Sequence, residues 1–515
     1  GKMKITKNFA PSLAAVFLNE NQRTVMKKSA TENLLKVFRR KLKELFPYIC
    51  SERKVFSNVD FSSEDFAVTF IQSDTELEFL RKIAPSLPPS VLNDPDIDEV
   101  YFAYFEGIFP ILEKTLTLEL LERHNKYLSQ YSYGENTPSG LVPVFISREF
   151  LSSLSETWQG RVHDFFLKNI NHYDPEIFYK SPDLRQFRLD FTLSDERSFL
   201  LSSALAAYNE NISYEEILPV LKKNPVFFRS FPSYIEIEIN RSCTNRCIFC
   251  PRETLSPEND NIRMSAEFLE DLHAGIFHAF PVPAVYCLGG LGEPLLHSEF
   301  ERIAVYLLRS EYVKELIIET ALFSGFERLI SVLMTVSEEQ KKKICVIVNL
   351  STLQEPAYND LYRSETDFNE IKSRIIQLKN FLPNPGSLYV QMIKMKEVET
   401  ETENFFNEWE KREMGIILQK YNRFAGRLAE RRVSDLTPVD RDFCWHLARD
   451  LYINADCTVA LCRQNEKIII GNLETDSVSE IWQKGEESFR FSLNGEYEKL
   501  MSPCTVCDEW YTFNA

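Results

Sequence analysis

The sequence predicts an α/β protein in three segments, residues 1–232, 233–440 and 441–515, and three observations predict it. Strand-like and helix-like stretches alternate through the first two segments. Within 233–440 the alternation repeats at the spacing of a partial (β/α) barrel. The last segment is short, less regular and rich in cysteine, so it needs a bound centre as a staple. A chain of 515 residues is also too long for one ordinary core.

In the first segment, 13–18 reads as a strand. Residues 31–45 carry apolar positions at helical spacing, with Lys and Arg on the other face. A strand at 100–105 leads to a helix at 116–128. A short strand near 142–145 leads to a helix opening at Ser147. This β-α order implies a mostly parallel sheet covered by helices. The second segment begins with a strand at 234–239. Helix 266–277, strand 284–288, helix 300–308, strand 316–319, a further helix, strand 345–349, helix 367–378 and strand 387–393 follow. In such barrels chemistry sits at the C-terminal ends of the strands. The acidic run 396–410 reads as the exposed start of a helix.

Composition narrows the function classes. Hydrophobic residues make up 44% and charged residues 26%, an ordinary globular balance. The net charge of -17 repels phosphate backbones, so no nucleic-acid partner is expected. No apolar run approaches the roughly 20 residues that span a bilayer, and no membrane partner is expected. The first residues show no convincing signal-peptide cleavage site, so the expected location is cytoplasmic.

The cysteines are clustered. Of eleven, only Cys50 lies in the first 240 residues, whereas Cys243, Cys247 and Cys250 fall within eight residues. In a long cytosolic chain that pattern reads as metal or cluster ligation and not as a disulfide framework. The spacing C-x3-C-x2-C puts three thiolates on one loop after the strand that opens the second segment. Three thiolates leave one iron of a cubane without a protein ligand, open to a chelating molecule. A zinc loop is the alternative. At the end of the next strand stands Cys287-Leu288-Gly289-Gly290-Leu291-Gly292-Glu293-Pro294. Its glycines allow close backbone approach to a ligand, and Glu293 can accept from an ammonium. Cys287 itself, like Cys345, reads as a small buried apolar residue. The last segment holds Cys444, Cys462, Cys504 and Cys507, enough to saturate one [4Fe-4S] cluster, and equally a zinc site by spacing alone.

The trio, with Phe249 before its last cysteine, resembles the signature of the radical S-adenosylmethionine (SAM) superfamily. The resemblance implies a [4Fe-4S] cluster on Cys243, Cys247 and Cys250 in a partial (β/α)6 TIM-type barrel. It also implies SAM contacts at Gly290, Gly292 and Glu293 and, at later strand ends, Asn349 and Ser351, with Thr320 and Gln391 as weaker candidates. Such enzymes take electrons from a flavodoxin or ferredoxin. The C-terminal cysteines, the Gly471-Asn472-Leu473 turn and Ile481-Trp482 resemble the SPASM domain of peptide- and protein-modifying members. That implies an auxiliary [4Fe-4S] cluster on Cys444, Cys462, Cys504 and Cys507 and a peptide or protein substrate. Cys457 stands where that family has a hairpin glycine and is left out of the ligand set. The chain ends eight residues after Cys507, without the cysteines of a further cluster, so two clusters in all are expected.

Segment 1–232 resembles acidic-sugar cytidylyltransferases, with a nucleotidyltransferase-like (GT-A/Rossmann-like) fold. The resemblance runs through Gly107-Ile108-Phe109-Pro110-Ile111, Gly140 to Phe145, Arg188 to Glu196 and 212–225. The phosphate loop is degenerate, since 19–23 has no glycine and one Arg. The family's metal-binding Asp aligns with Ile108, which cannot bind Mg²⁺. Asp190 is expected to be structural. The three segments in this order resemble the spiro-SPASM family. Radical chemistry on a sugar or nucleotide-sugar, and a non-catalytic metal-binding scaffold, stand as alternatives to peptide modification.

Overall fold

The computed structural model describes residues 9–50, 52–86, 94–97, 99–255 and 261–511. The chain divides between Ser230 and Phe231 into two compact units, both α/β.

The first unit holds β1 (Phe9–Val16), β2 (Val55–Ser57), β3 (Val68–Phe70), β4 (Glu99–Phe105), β5 (Tyr131–Gly134), β6 (Val144–Ser147) and β7 (Pro175–Phe178). Their order in the sheet is β3-β2-β1-β4-β6-β5-β7. The sheet is mostly parallel, as the strand–helix alternation predicts, and β6 runs antiparallel to both neighbours. The run Val100–Phe105 is buried on both faces, the signature of a central strand. The Ser147 side chain caps helix Arg148–Ser153 by accepting from Phe150 N at 3.1 Å. The strand expected at 142–145 lies two residues later, because Leu141 to Pro143 are spent in a turn.

The second unit carries six parallel strands in chain order: β8 (Tyr234–Ile237), β9 (Ala284–Leu288), β10 (Val313–Thr320), β11 (Ile344–Asn349), β12 (Leu388–Lys394) and β13 (Gly415–Lys420). Helices intervene, including Ala266–Ala279, Phe300–Arg309 and Phe368–Phe381, so the sheet has the order of a partial (β/α)6 barrel. Side chains alternate across each strand. Ile235, Ile237, Tyr286, Leu288, Leu316, Ile318, Val346, Val348, Val390 and Met392 pack in one core with helical residues such as Leu269, Ile303 and Ile375. The opposite face therefore carries Glu236, Cys287, Glu319, Asn349 and Gln391. Beyond β8, the strands β14 (Asp450–Ile453), β15 (Thr458–Ala460) and β16 (Ile469–Asn472) continue the same sheet. The first pairs parallel to β8, and the other two form an antiparallel extension. Among the described residues no helix is long and apolar enough to cross a membrane.

Candidate functional site

The C-terminal ends of β8 and β9 meet through one buried carboxylate. Glu238 is fully buried, and its Oε1 accepts from Arg241 Nε at 2.7 Å and from Ala455 N at 3.1 Å. Its Oε2 accepts from Leu291 N at 2.9 Å. One side chain thus ties together the root of the cysteine loop, the glycine loop and the C-terminal hairpin. Asn240 adds a second tie: its Nδ2 donates to the carbonyl of Glu293 at 2.8 Å. Glu293 N in turn donates to the carbonyl of Ser242 at 2.9 Å.

The cysteine loop docks on the end of helix Glu355–Tyr362. The carbonyl of Tyr362 accepts from Arg246 N at 3.1 Å, and that of Leu361 from Ile248 N at 3.0 Å. The Phe249 ring meets the Tyr362 ring edge-on, with centroids 5.2 Å apart. The three thiols are drawn together. Burial pushes the Cys247 thiol well up, and Cys250 and Cys243 push it further. Burial raises Cys243 to about 12, with Glu293 and Cys250 adding to it, and raises Cys250. Such thiols stay protonated until a metal takes the sulfur in exchange for the proton.

The predicted SAM contacts lie around this loop. Gly290 has φ +92°, and a Cβ there would come within 2.7 Å of Glu238. A Cβ on Gly292 would sit 2.0 Å from the carbonyl oxygen of Asn240. These glycines are required by the packing of the two loops against each other. The Glu293 carboxylate is already bound: Oε1 accepts from Thr320 Oγ1 at 2.7 Å and Leu295 N at 3.2 Å, and Oε2 from Ala321 N at 3.0 Å. Burial raises Glu293 to about 7. Asn349 and Ser351 form one network with Tyr362, whose hydroxyl donates to Asn349 Oδ1 and accepts from Ser351 N at 2.8 Å. Ser351 Oγ accepts from Ile393 N at 3.0 Å. Sequence reasoning missed Glu238 and Tyr362. Neither belongs to a motif, although the buried position of Glu238 within an apolar strand is a signal in itself.

The second set also converges. Burial pushes Cys444 well up, and Cys462, Cys507 and Cys504 add to the effect. Burial raises Cys462 to about 12, reinforced by Cys504 and Cys507, and raises Cys507 to about 11. Glu509 N points at Cys507 Sγ from 3.3 Å. Arg441 holds the last loop by donating to the carbonyls of Cys504 at 2.6 Å and Thr505 at 3.3 Å. Cys457 stands apart: its charged neighbours are Glu474 and Asp456, and its φ is +68° in the hairpin turn. Such a left-handed turn position suits glycine.

A third group involves none of these cysteines. Ligand atoms of Glu236, Cys287 and Glu319 lie within 4.8 Å of one another, the one such group of three among the described residues. Arg463, next to Cys462, donates to both Glu319 oxygens, with Nη1 at 3.1 Å from Oε1. Its Nε lies 3.4 Å from Glu236 Oε1. In the first unit, Ile108 is fully buried apolar core. Asp190 is turned onto its own loop, accepting from Thr192 N at 2.7 Å and Thr192 Oγ1 at 2.6 Å, and from Ser194 Oγ.

Residues 444–508 match the model of the SPASM family, described as an iron-sulfur cluster-binding domain. Over 365 residues the chain is 27% identical to an uncharacterized protein of Treponema pallidum (strain Nichols), covering 67% of this chain and 96% of the relative. Among solved structures, Streptococcus suis SuiB bound to precursor peptide SuiA aligns with 58% of this chain and 76% of its own, at 12% identity and TM-score 0.41. The enzyme anSMEcpe with bound AdoMet aligns with 54% of this chain and 85% of its own, at 14% identity and TM-score 0.40. BtrN in complex with AdoMet and 2-DOIA aligns with 55% and 97%, at 15% identity and TM-score 0.36.

Proposed function

We propose that the chain is a radical SAM enzyme that modifies a peptide or protein substrate. The observation that carries this reading is the convergence of three buried thiols on one loop, at the C-terminal end of the first of six parallel strands, beside a glycine loop at the end of the second. In this reading Cys243, Cys247 and Cys250 hold a [4Fe-4S] cluster with one open iron. Gly290, Gly292, Glu293, Asn349 and Ser351 surround the SAM. The bound pair supplies a reductively generated 5'-deoxyadenosyl radical.

The chain's own residues do the positioning. Glu238 and Asn240 lock the cysteine and glycine loops together, which fixes the trio relative to the ligand's amino end. Tyr362 carries the cysteine loop on its backbone and the Asn349–Ser351 pair on its hydroxyl. The fit to iron clusters rests on the donor chemistry and on spacing. Among the described residues neither cysteine set is packed within 4.8 Å. A single zinc, with Zn–S of about 2.3 Å, would draw its sulfurs inside that limit.

Cys444, Cys462, Cys504 and Cys507 would hold the second cluster. Four protein ligands close it to substrate, so it serves electron transfer or support. The SPASM match over 444–508 favours a peptide or protein substrate over a sugar. In this division of labour 1–232 is a nucleotidyltransferase-like domain without transfer activity that recruits substrate or partner, 233–440 is the radical core and 441–515 the auxiliary domain. A flavodoxin or ferredoxin supplies electrons in the cytoplasm.

Anaerobic reconstitution tests the reading. The wild type should bind about eight irons per chain and release 5'-deoxyadenosine from SAM under reductant. Changing Cys243, Cys247 and Cys250 together to Ala should abolish that release and leave about four irons. Zinc without iron, or undiminished 5'-deoxyadenosine from the triple variant, would defeat it.

A further inference from the structure

We infer that Cys287 is a hydrogen-atom donor: its S–H returns hydrogen to a carbon radical formed at the mouth of the sheet, so that the substrate leaves isomerised and not oxidised. This rests on the radical reading above and adds the outcome of the reaction to it.

The position comes first. Cys287 lies on β9, opposite Glu236 of β8 and Ile317 of β10 in register. It is one residue from the C-terminal end of its strand and faces away from the helix-packed core. Cys345 shares that face by alternation, but it is the second residue of β11 and so sits toward the opposite rim. Gly289 leaves the space above the thiol open. A Cβ there would lie 3.4 Å from Cys287 Sγ, 2.9 Å from Glu236 Oε1 and 3.1 Å from Glu319 Oε2.

The surroundings suit a thiol that must keep its hydrogen. Cys287 is fully buried, and two carboxylates share its pocket. Burial, then Glu319 and Glu236, push the thiol well up, so it remains S–H and is neither a thiolate nucleophile nor a ready metal ligand. Glu236 is 3% exposed, and its Oε1 accepts no hydrogen bond, although Arg463 Nε approaches to 3.4 Å. A buried acceptor left open beside a thiol marks a place where a polar group of a bound molecule belongs.

The chemistry balances as follows. The substrate carbon radical takes the hydrogen atom of Cys287. One S–H bond breaks homolytically, one C–H bond forms, and a thiyl radical stays on Sγ. One electron from the low-potential flavodoxin or ferredoxin class of donor, and one proton delivered through Glu236, restore the thiol. Burial holds Glu236 up at about 7, where it can carry that proton. An S–H bond is weaker than the C–H bonds of amino acids, so transfer to carbon runs downhill. Hydroxyl and amide hydrogens are bound too strongly to compete.

The test needs no substrate. Reconstituted enzyme equilibrated in D2O is given SAM and dithionite, without added thiol, and the 5'-deoxyadenosine is analysed by mass spectrometry. When substrate is absent the 5'-carbon radical takes deuterium from the exchanged thiol. The wild type should give deuterated 5'-deoxyadenosine. Cys287→Ser, which preserves the packing, should still cleave SAM but lose the label, while Cys345→Ser keeps it. A label unchanged in Cys287→Ser, or unlabelled wild-type product, overturns the inference alone. Absence of 5'-deoxyadenosine from the wild type removes the radical reading and this inference with it. A separate readout is independent of turnover: the wild-type minus Cys287→Ser infrared difference spectrum should contain an S–H stretch at pH 8. Its absence, as for a thiolate or a metal-bound sulfur, equally overturns the inference.

Discussion

Glu238 and Arg241 form a buried ion pair at 2.7 Å, with side chains 0% and 5% exposed. The Glu238 carboxylate also accepts from Leu291 N and Ala455 N, so it joins three segments far apart in sequence. Exchanging Glu238 for Gln leaves the Arg241 charge buried without a counter-ion, and its amide turns a donor toward donors. Breaking a buried pair from one side costs about 3–5 kcal/mol. The expected result is a lower urea midpoint and reduced iron loading of the Cys243–Cys247–Cys250 site in the same variant. Unchanged stability and iron would show that the three loops are held by other contacts.

Tyr362 separates two functions in one residue. Its backbone supports the cysteine loop, and its hydroxyl supports Asn349 and Ser351. Tyr362→Phe removes only the hydroxyl and leaves the buried Ser351 amide unpaired, at about 1–3 kcal/mol. Iron content should stay at the wild-type level while SAM affinity falls about tenfold, equivalent to about 1.4 kcal/mol. Tyr362→Ala also removes the ring that meets Phe249, and iron in that site should fall as well. Equal SAM affinity in the Phe variant, measured by equilibrium dialysis, would remove the hydroxyl from the binding network.

Cys457 offers a test of ligand assignment that does not depend on activity. Its φ of +68° puts a non-glycine residue in the left-handed region. That conformation costs roughly 1–2 kcal/mol for an L-residue, part of which glycine gives back through unfolded-state entropy. Cys457→Gly should therefore match or exceed the wild type in stability by up to about 1 kcal/mol, with full iron content. Loss of iron on this change would place Cys457 in the cluster and displace one of the four chosen cysteines.

These tests also mark what was legible in the sequence. The cysteine trio could be read because its chemistry is carried by spacing on one loop, and the strands of 233–440 because each is a long apolar run. The strand β13 escaped because it is an edge strand with exposed positions such as Leu418, lacking the apolar run of its neighbours. The strands β2 and β3 escaped because three residues carry too little pattern. Tyr362 lies 115 residues from Cys247, whose thiol faces its carbonyl at 3.8 Å, and Arg463 lies 144 residues from Glu319. No spacing rule connects such partners; only the fold does. The same holds for Cys287. By composition it is one more small buried residue, and its two carboxylate neighbours come from adjacent strands.

His273 gives the barrel unit a pH dependence whose sign can be stated. Both ring nitrogens are engaged, Nδ1 with Tyr286 Oη at 2.9 Å and Nε2 with Ser310 Oγ at 2.7 Å. Burial lowers its pKa to about 4, from an ordinary value of 6.5. Between those values the unfolded chain binds a proton that the folded chain refuses. Stability from this group is therefore intact above about pH 6.5 and declines as pH falls toward 4, by at most about 1.4 kcal/mol per pH unit. Glu236 and Glu293 act in the opposite sense, because burial raises both to about 7 and the folded state then holds the extra protons. The His273 share must be read as a difference. Urea midpoints for the wild type and His273→Gln between pH 4.5 and 7.5 should converge as the pH is lowered. The variant loses two hydrogen bonds at neutral pH but carries no imidazole to protonate in the unfolded state. A constant gap across that range would mean that His273 is charged in the folded protein, and that Tyr286 and Ser310 both act as acceptors.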